Sequence, residues 1–177
     1  DPYSGYRAKA GPAVWHTNRS AIKDCVTVDD QMFPRLFSIK TEDGFARADG
    51  MEGPDFEYYM FESATGIGWS REEFYAAAER VVNLERAIEI RRHGRSRQDD
   101  EWVIPYFEVP DAWVNPLLGE RYALDADKFR AMLTDFYQKR GWDPGTGVPT
   151  TAKLESLGLP DVAEALEATA AGRVKPR

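Results

Sequence analysis

Cysteine occurs once in these 177 residues, at Cys25, and histidine twice, at His16 and His93. One thiol excludes an intramolecular disulfide, and this chain alone cannot build a metal or cluster site from its own thiolates. The two histidines stand apart, so neither a His cluster nor a Ser-His-Asp spacing is present. No run approaches the ~18–20 consecutive apolar residues of a bilayer span, and no membrane association is expected. The opening Asp1-Pro2-Tyr3-Ser4-Gly5 has neither a basic start nor an apolar stretch, so no secretory signal is read there. It also lacks an initiator Met, which suggests a processed or excised fragment. Positive charge is in deficit: the net charge is -7. The short clusters at Arg91-Arg92-His93 and Arg173 to Arg177 give no basic face to neutralise phosphates, so nucleic acid is not an expected partner.

Hydrophobic residues make up 42% of the chain and charged residues 30%, ordinary proportions for a globular domain. Residues 1–17, rich in Gly, Pro and Tyr at their start, read as an irregular leading segment. A helix is expected from Asn18 to Asp30, with Asn18 as N-cap and Ala21, Ile22, Cys25 and Val28 on one face. Among those neighbours Cys25 reads as a small buried hydrophobe. Residues 41–54 read as a loop, and a short helix is expected from Asp55 to Ala64, ended by Thr65-Gly66.

Ser70-Arg71-Glu72-Glu73 is a capping box, in which the Ser hydroxyl and the Glu carboxylate each accept from the other's backbone amide. Phe74, Ala77, Ala78, Val81, Leu84 and Ile88 follow at helical spacing and predict one apolar face. Arg91, Arg92 and His93 suit a helix C-terminus, and Gly94 suits the left-handed position beyond it. Residues 94–124 show no sustained period, with Trp102-Val103-Ile104 and Tyr106-Phe107 expected as short extended pieces. Asp125 caps a helix carrying Phe129, Met132, Leu133 and Phe136 that closes at Gly141. Thr150 caps a shorter one, and Pro160 opens the last helix, with residues 161–177 forming that helix and a tail. The sequence shows no repeat and no low-complexity segment. The fold class expected is all-α, with residues 1–177 as one helical domain or two intimately packed helical lobes.

Several short signatures occur in order. They are Ala78-Glu79-Arg80-Val81-Val82-Asn83-Leu84-Glu85-Arg86, Arg97-Gln98-Asp99-Asp100 leading to Pro105, Arg140-Gly141-Trp142-Asp143, Gly147-Val148-Pro149, and Leu154-Glu155-Ser156-Leu157-Gly158-Leu159. In this order they resemble the late part of the aldehyde ferredoxin oxidoreductases, whose own first signature has Gly where Ala78 stands. The similarity covers roughly residues 18–160, and implies the helical carboxy-terminal region of a larger enzyme. It further implies a tungsten- or molybdenum-bis-pyranopterin cofactor, a [4Fe–4S] cluster, and oxidation of aldehydes to carboxylic acids with electrons passing to ferredoxin. The partners implied are the amino-terminal domains of the same enzyme and a ferredoxin-like carrier, in the cytoplasm.

The family motif Asp-x-x-Gly-x-Cys, aligned after Arg19-Ser20-Ala21-Ile22-Lys23, falls on Asp24-Cys25-Val26-Thr27-Val28-Asp29. The resemblance makes Asp24 the candidate pterin contact, since a carboxylate accepts hydrogen bonds from pterin ring N–H groups. Thr27 stands in place of the Gly, and Asp29 in place of the cluster Cys. Three outcomes stay open. Asp29 ligates iron through oxygen, Cys25 serves instead after a backbone shift, or the usual cluster is absent. Asp99 and Asp100 are expected partners of Arg80 or Arg86 in a buried network, and Trp142 is expected to anchor a helix end. The isolated chain is expected to be catalytically inactive. The rival reading is a cofactor-free helical interaction or structural module derived from this family.

Overall fold

The computed structural model describes residues 5–28, 56–110, 112, 114–115, 119–121 and 123–172. In chain order the elements are α1 (Ala10–Cys25), α2 (Phe56–Thr65), α3 (Arg71–His93), α4 (Arg97–Glu101), α5 (Ile104–Phe107), β1 (Val114–Asn115), β2 (Glu120–Arg121), α6 (Ala126–Arg140), α7 (Thr151–Ser156) and α8 (Pro160–Ala170). The two short strands pair antiparallel, Val114 opposite Arg121 and Asn115 opposite Glu120. A two-residue ladder forms no layer of its own, and the fold is all-α, as the sequence leads one to expect. No helix among the described residues is long and apolar enough to cross a membrane.

The chain falls into two compact units, Trp15–Asn83 and Asp1–Val14 with Leu84–Arg177. In the first, Ile22 of α1 packs with Phe74 and Ala78 of α3, and Tyr58, Phe61, Trp69 and Tyr75 surround them. Phe61 stacks on Trp69 at 5.1 Å between ring centroids. In the second, Ala87, Leu154, Ala163 and Leu166 form the core, flanked by Ile90, Val148, Leu159 and Val162.

Local chemistry sets most of the helix ends. Ser70 Oγ accepts from the Glu73 amide at 3.2 Å, and Glu73 Oε2 accepts from the Ser70 amide at 2.7 Å, closing the capping box of α3. The helix runs 23 residues, its last turn carries Arg91, Arg92 and His93, and Gly94 takes φ +68°. Asp125 and Thr150 accept from the amides three residues on and open α6 and α7. Pro160 occupies the first turn of α8, where a missing N–H costs nothing.

Four expectations change. Residues 10–17 are helical rather than irregular. Pro12 falls in the first turn of α1, where the N–H it lacks would have had no acceptor within the helix. Asn18 is therefore inside the helix, which closes at Cys25 rather than at Asp30. Second, Cys25 is exposed, because α1 buries Ile22 and Lys23 instead. Third, Trp102 to Ile104 and Tyr106-Phe107 are not extended. Ser96 and Asp99 cap α4, and Pro105 near the start of α5 pre-sets a helical turn. Fourth, Leu84 and Ile88 stay 39% and 42% exposed, while Val82, Asn83, Arg86 and Ala87 are buried. Counting apolar residues alone misplaces that face, because two polar side chains with partners lie on the buried side. The 41–54 loop and the basic tail lie outside the described residues.

Candidate functional site

The signature residues of the Asp1–Val14 and Leu84–Arg177 unit converge on a polar network. Arg86, on the buried side of α3, lays its guanidinium fork against Asp100 of α4, with Nη1 donating to Oδ1 at 3.2 Å and Nη2 to Oδ2 at 2.7 Å. Its Nε donates to the Gly147 carbonyl at 3.0 Å. The Tyr137 hydroxyl of α6 donates to Asp100 Oδ2 at 2.5 Å. Arg95 adds two bonds to Oδ1, from Nε at 3.1 Å and Nη2 at 2.8 Å. The Arg86 guanidinium also lies 5.1 Å from the centre of the buried Trp142 ring, a cation–π contact that uses the apolar face of the same pocket. Trp142 thus anchors the end of α6, as expected.

Gly147 sits within this network with φ +73°, and a Cβ there would meet Arg86 Nη2 at 2.5 Å and the Tyr137 hydroxyl at 2.9 Å. Only glycine admits both the backbone conformation and the approach of the guanidinium. Asp143 shapes the loop that brings Gly147 in. Its Oδ1 accepts from the Thr146 amide at 2.8 Å, from Thr146 Oγ1 at 2.7 Å and from the Gly145 amide at 3.1 Å. Beside it, Arg97 joins α4 to α6 and to this loop, donating to Glu101 Oε1, Thr134 Oγ1, and the Arg130 and Pro144 carbonyls. Of the expected acids, Asp100 pairs with Arg86, while Asp99 caps Ser96, accepting from its amide at 2.7 Å.

The electrostatics follow these contacts. Burial pushes the Asp100 carboxyl up, but the hydrogen bonds from Arg86, Tyr137 and Arg95 outweigh it and hold the group below its ordinary range. Burial, then the bond to Asp100, drives the Tyr137 hydroxyl far above the ordinary tyrosine value. The bond from Arg97 keeps Glu101 low. Both Asp100 oxygens are fully engaged, so the network offers no free acid or base. Its chemistry is that of a clasp, fixing α3, α4, α6 and the 141–150 loop in one register. Tyr137 carries no mark of this role in the sequence, and for Gly147 the only signal is the Gly147-Val148-Pro149 turn, since a glycine is required where another side chain comes close.

The end of α1 has a different character. Val28 N donates to the Lys23 carbonyl at 3.0 Å and Thr27 N to the Asp24 carbonyl at 3.3 Å, with Thr27 at φ +60°. This is a Schellman closure, in which the left-handed residue is usually glycine. Asp24 and Cys25 lie in the last turn and are exposed. Beneath them the Trp15–Asn83 unit holds a buried cluster. Arg19 donates to Glu57 Oε1 at 2.8 Å, with Lys23 Nζ 4.0 Å from the same oxygen. Asp29 lies outside the described residues.

The donor chemistry tests the cofactor groups unequally. Asp24 presents two acceptor oxygens at an open helix end, which fits hydrogen bonding to the N–H edge of a pterin. A carboxylate there faces the negative end of the helix dipole and gains nothing from it. An iron–sulfur cluster fits poorly, since the motif asks for a thiolate at position 29 and the sequence has Asp29 there, and no group of three His, Cys, Asp or Glu side chains among the described residues could hold a metal ion.

Compared with known protein families, residues 1–159 match the family described as aldehyde ferredoxin oxidoreductase, domains 2 & 3. The match spans the helix end with Asp24, the Arg86–Asp100 clasp and the loop that carries Gly147. The chain therefore belongs to the aldehyde ferredoxin oxidoreductase family.

Proposed function

We propose that this chain is the carboxy-terminal helical part of a tungsten- or molybdenum-pterin oxidoreductase. The enzyme converts an aldehyde and water to a carboxylic acid, releasing two electrons and two protons, and the electrons leave towards a ferredoxin-like carrier. The metal–pterin group, when bound, supplies the two-electron redox chemistry, and the protein supplies orientation and electrostatics. The partners are the amino-terminal domains of the same enzyme and that carrier, in the cytoplasm.

In this reading Asp24 accepts hydrogen bonds from the pterin, and the Arg86–Asp100–Tyr137 clasp keeps one wall of the enzyme rigid. The observation that carries the reading is the convergence of the family's signatures on that clasp, together with a helix end that leaves Asp24 open. The test is elemental analysis of the full-length protein for tungsten, molybdenum and iron, paired with dye-linked aldehyde oxidation. Metal with turnover supports the reading; absence of both defeats it. The isolated 177-residue chain is catalytically inactive in this reading, and aldehyde turnover by it in metal-free form would refute that part.

A second reading, a cofactor-free helical interaction module, is favoured by Asp29 standing in the cluster-ligand position. A stable full-length protein without tungsten, molybdenum or iron would support it.

A further inference from the structure

We infer that no thiolate of this chain closes the enzyme's iron–sulfur cluster: the closure of α1 holds Cys25 four residues short of the ligand position, and that position carries an acid, Asp29. The inference rests on the oxidoreductase reading above and concerns its electron exit.

The backbone agrees with the register in which the motif is aligned. In Asp-x-x-Gly-x-Cys the Gly falls on Thr27, and Thr27 adopts φ +60°. A β-branched residue in that region is a steric outlier, whereas glycine enters it freely. The backbone at position 27 therefore has the conformation that a glycine in the motif would supply. Asp24 and Thr27 stand where the motif places its Asp and Gly, so the ligand falls at position 29.

Cys25 cannot reach that position by a slip along α1. A four-residue shift would draw Ile22 out of the core it forms with Phe74 and Ala78. It would also carry Arg19 and Lys23 away from Glu57, which is buried. Stranding a buried carboxylate without its cation is among the costliest changes a core can suffer. Unwinding the last turn instead would break both Schellman bonds, from Val28 to Lys23 and from Thr27 to Asp24. The thiol is thus fixed on the surface of the last helical turn. A carboxylate or solvent oxygen is a harder ligand than the thiolates such clusters favour. Any cluster here therefore keeps one iron that is more easily lost.

The test uses full-length enzyme as wild type, Cys25→Ala and Asp29→Cys, with iron per polypeptide, tungsten and molybdenum content, and the cluster's electron paramagnetic resonance spectrum as readouts. Cys25 is exposed, so the Cys25→Ala variant folds. The expected result is that Cys25→Ala keeps the iron content and spectrum of the wild type. Asp29→Cys changes the spectrum and slows loss of one iron under mild oxidation. Loss of iron or of the cluster signal in Cys25→Ala overturns the inference. Wild-type enzyme holding tungsten or molybdenum without iron supports it, since no thiolate then closes a cluster. Absence of tungsten and molybdenum from all three proteins defeats the oxidoreductase reading instead, and the iron comparison still reads out on Cys25.

Discussion

Arg86 and Asp100 stand 14 residues apart in the chain and meet fork to fork, with side chains 6% and 12% exposed. Each arrives on its own helix, and the pair joins the long α3 to the short α4. Asp100→Asn leaves the Arg86 charge partly stranded. The cost expected is about 3 kcal/mol, at the lower end for a buried pair because the carboxylate keeps some contact with water. Chemical denaturation of the two proteins at pH 7 checks this, and a difference below 1 kcal/mol would remove the clasp from the account.

The same carboxylate sets an acid limit. A folded-state value below the ordinary ~3.9 means that its contribution is whole above the unfolded value and is lost as pH falls through the folded one. Asp99, held low by the Ser96 amide, and Asp143, held low by Thr146, act in the same direction. Stability is therefore expected to fall below about pH 4. Asp100→Asn should flatten that fall, as thermal melts at pH 3, 4, 5 and 7 would reveal.

Tyr137 gives the opposite sign. Its folded value is raised, so its contribution is complete below the unfolded tyrosine value near ~10 and is lost as pH climbs towards the folded one. Ultraviolet titration of the folded protein should show Tyr137 staying protonated at a pH where exposed tyrosines ionise. Tyr137→Phe should remove that late step and cost about 1 kcal/mol at pH 7.

Gly147→Ala combines a left-handed backbone with a collision against Arg86 and Tyr137. The expected loss is at least about 2 kcal/mol. Gly145→Ala makes a useful control, because its added carbon would meet only Asp143 Oδ1, at 3.4 Å. Equal melting temperatures for the two variants would contradict this account of the loop.

Thr27→Gly relieves the left-handed strain of a β-branched residue and gives back some backbone entropy. A net gain of about 0.5–1 kcal/mol is expected. A loss would mean that the Thr27 side chain makes a compensating contact.

Much of this was legible from local sequence. The box at Ser70, Asp125 at the head of α6, Thr150, Pro160 and the glycines at 94, 141 and 158 each act within about one helical turn of themselves. Short-range chemistry is what a linear reading handles well. The start of α1 reads as loop because of Gly11 and Pro12, although a proline in a first turn is well tolerated. A buried pairing of Asp99 or Asp100 with Arg80 or Arg86 is legible from charge and family signature, and the structure selects Arg86 with Asp100; Tyr137 is not legible, since a tyrosine beside Phe136 carries no mark of a distant carboxylate.

The sequence by itself determined that this protein is built of helices, where most of them stop, and which signatures it shares with its family. Those properties depend on hydrogen bonds between near neighbours and on the conformations that Gly, Pro and capping side chains allow. Only the tertiary structure decided which side of α3 turns inward, that Asp100 gathers Arg86, Arg95 and Tyr137 together, and that Cys25 faces outward. The reason is that a buried polar side chain is stable only beside a partner, and its partner here comes from a distant stretch of chain, as Gly147 does 61 residues beyond Arg86.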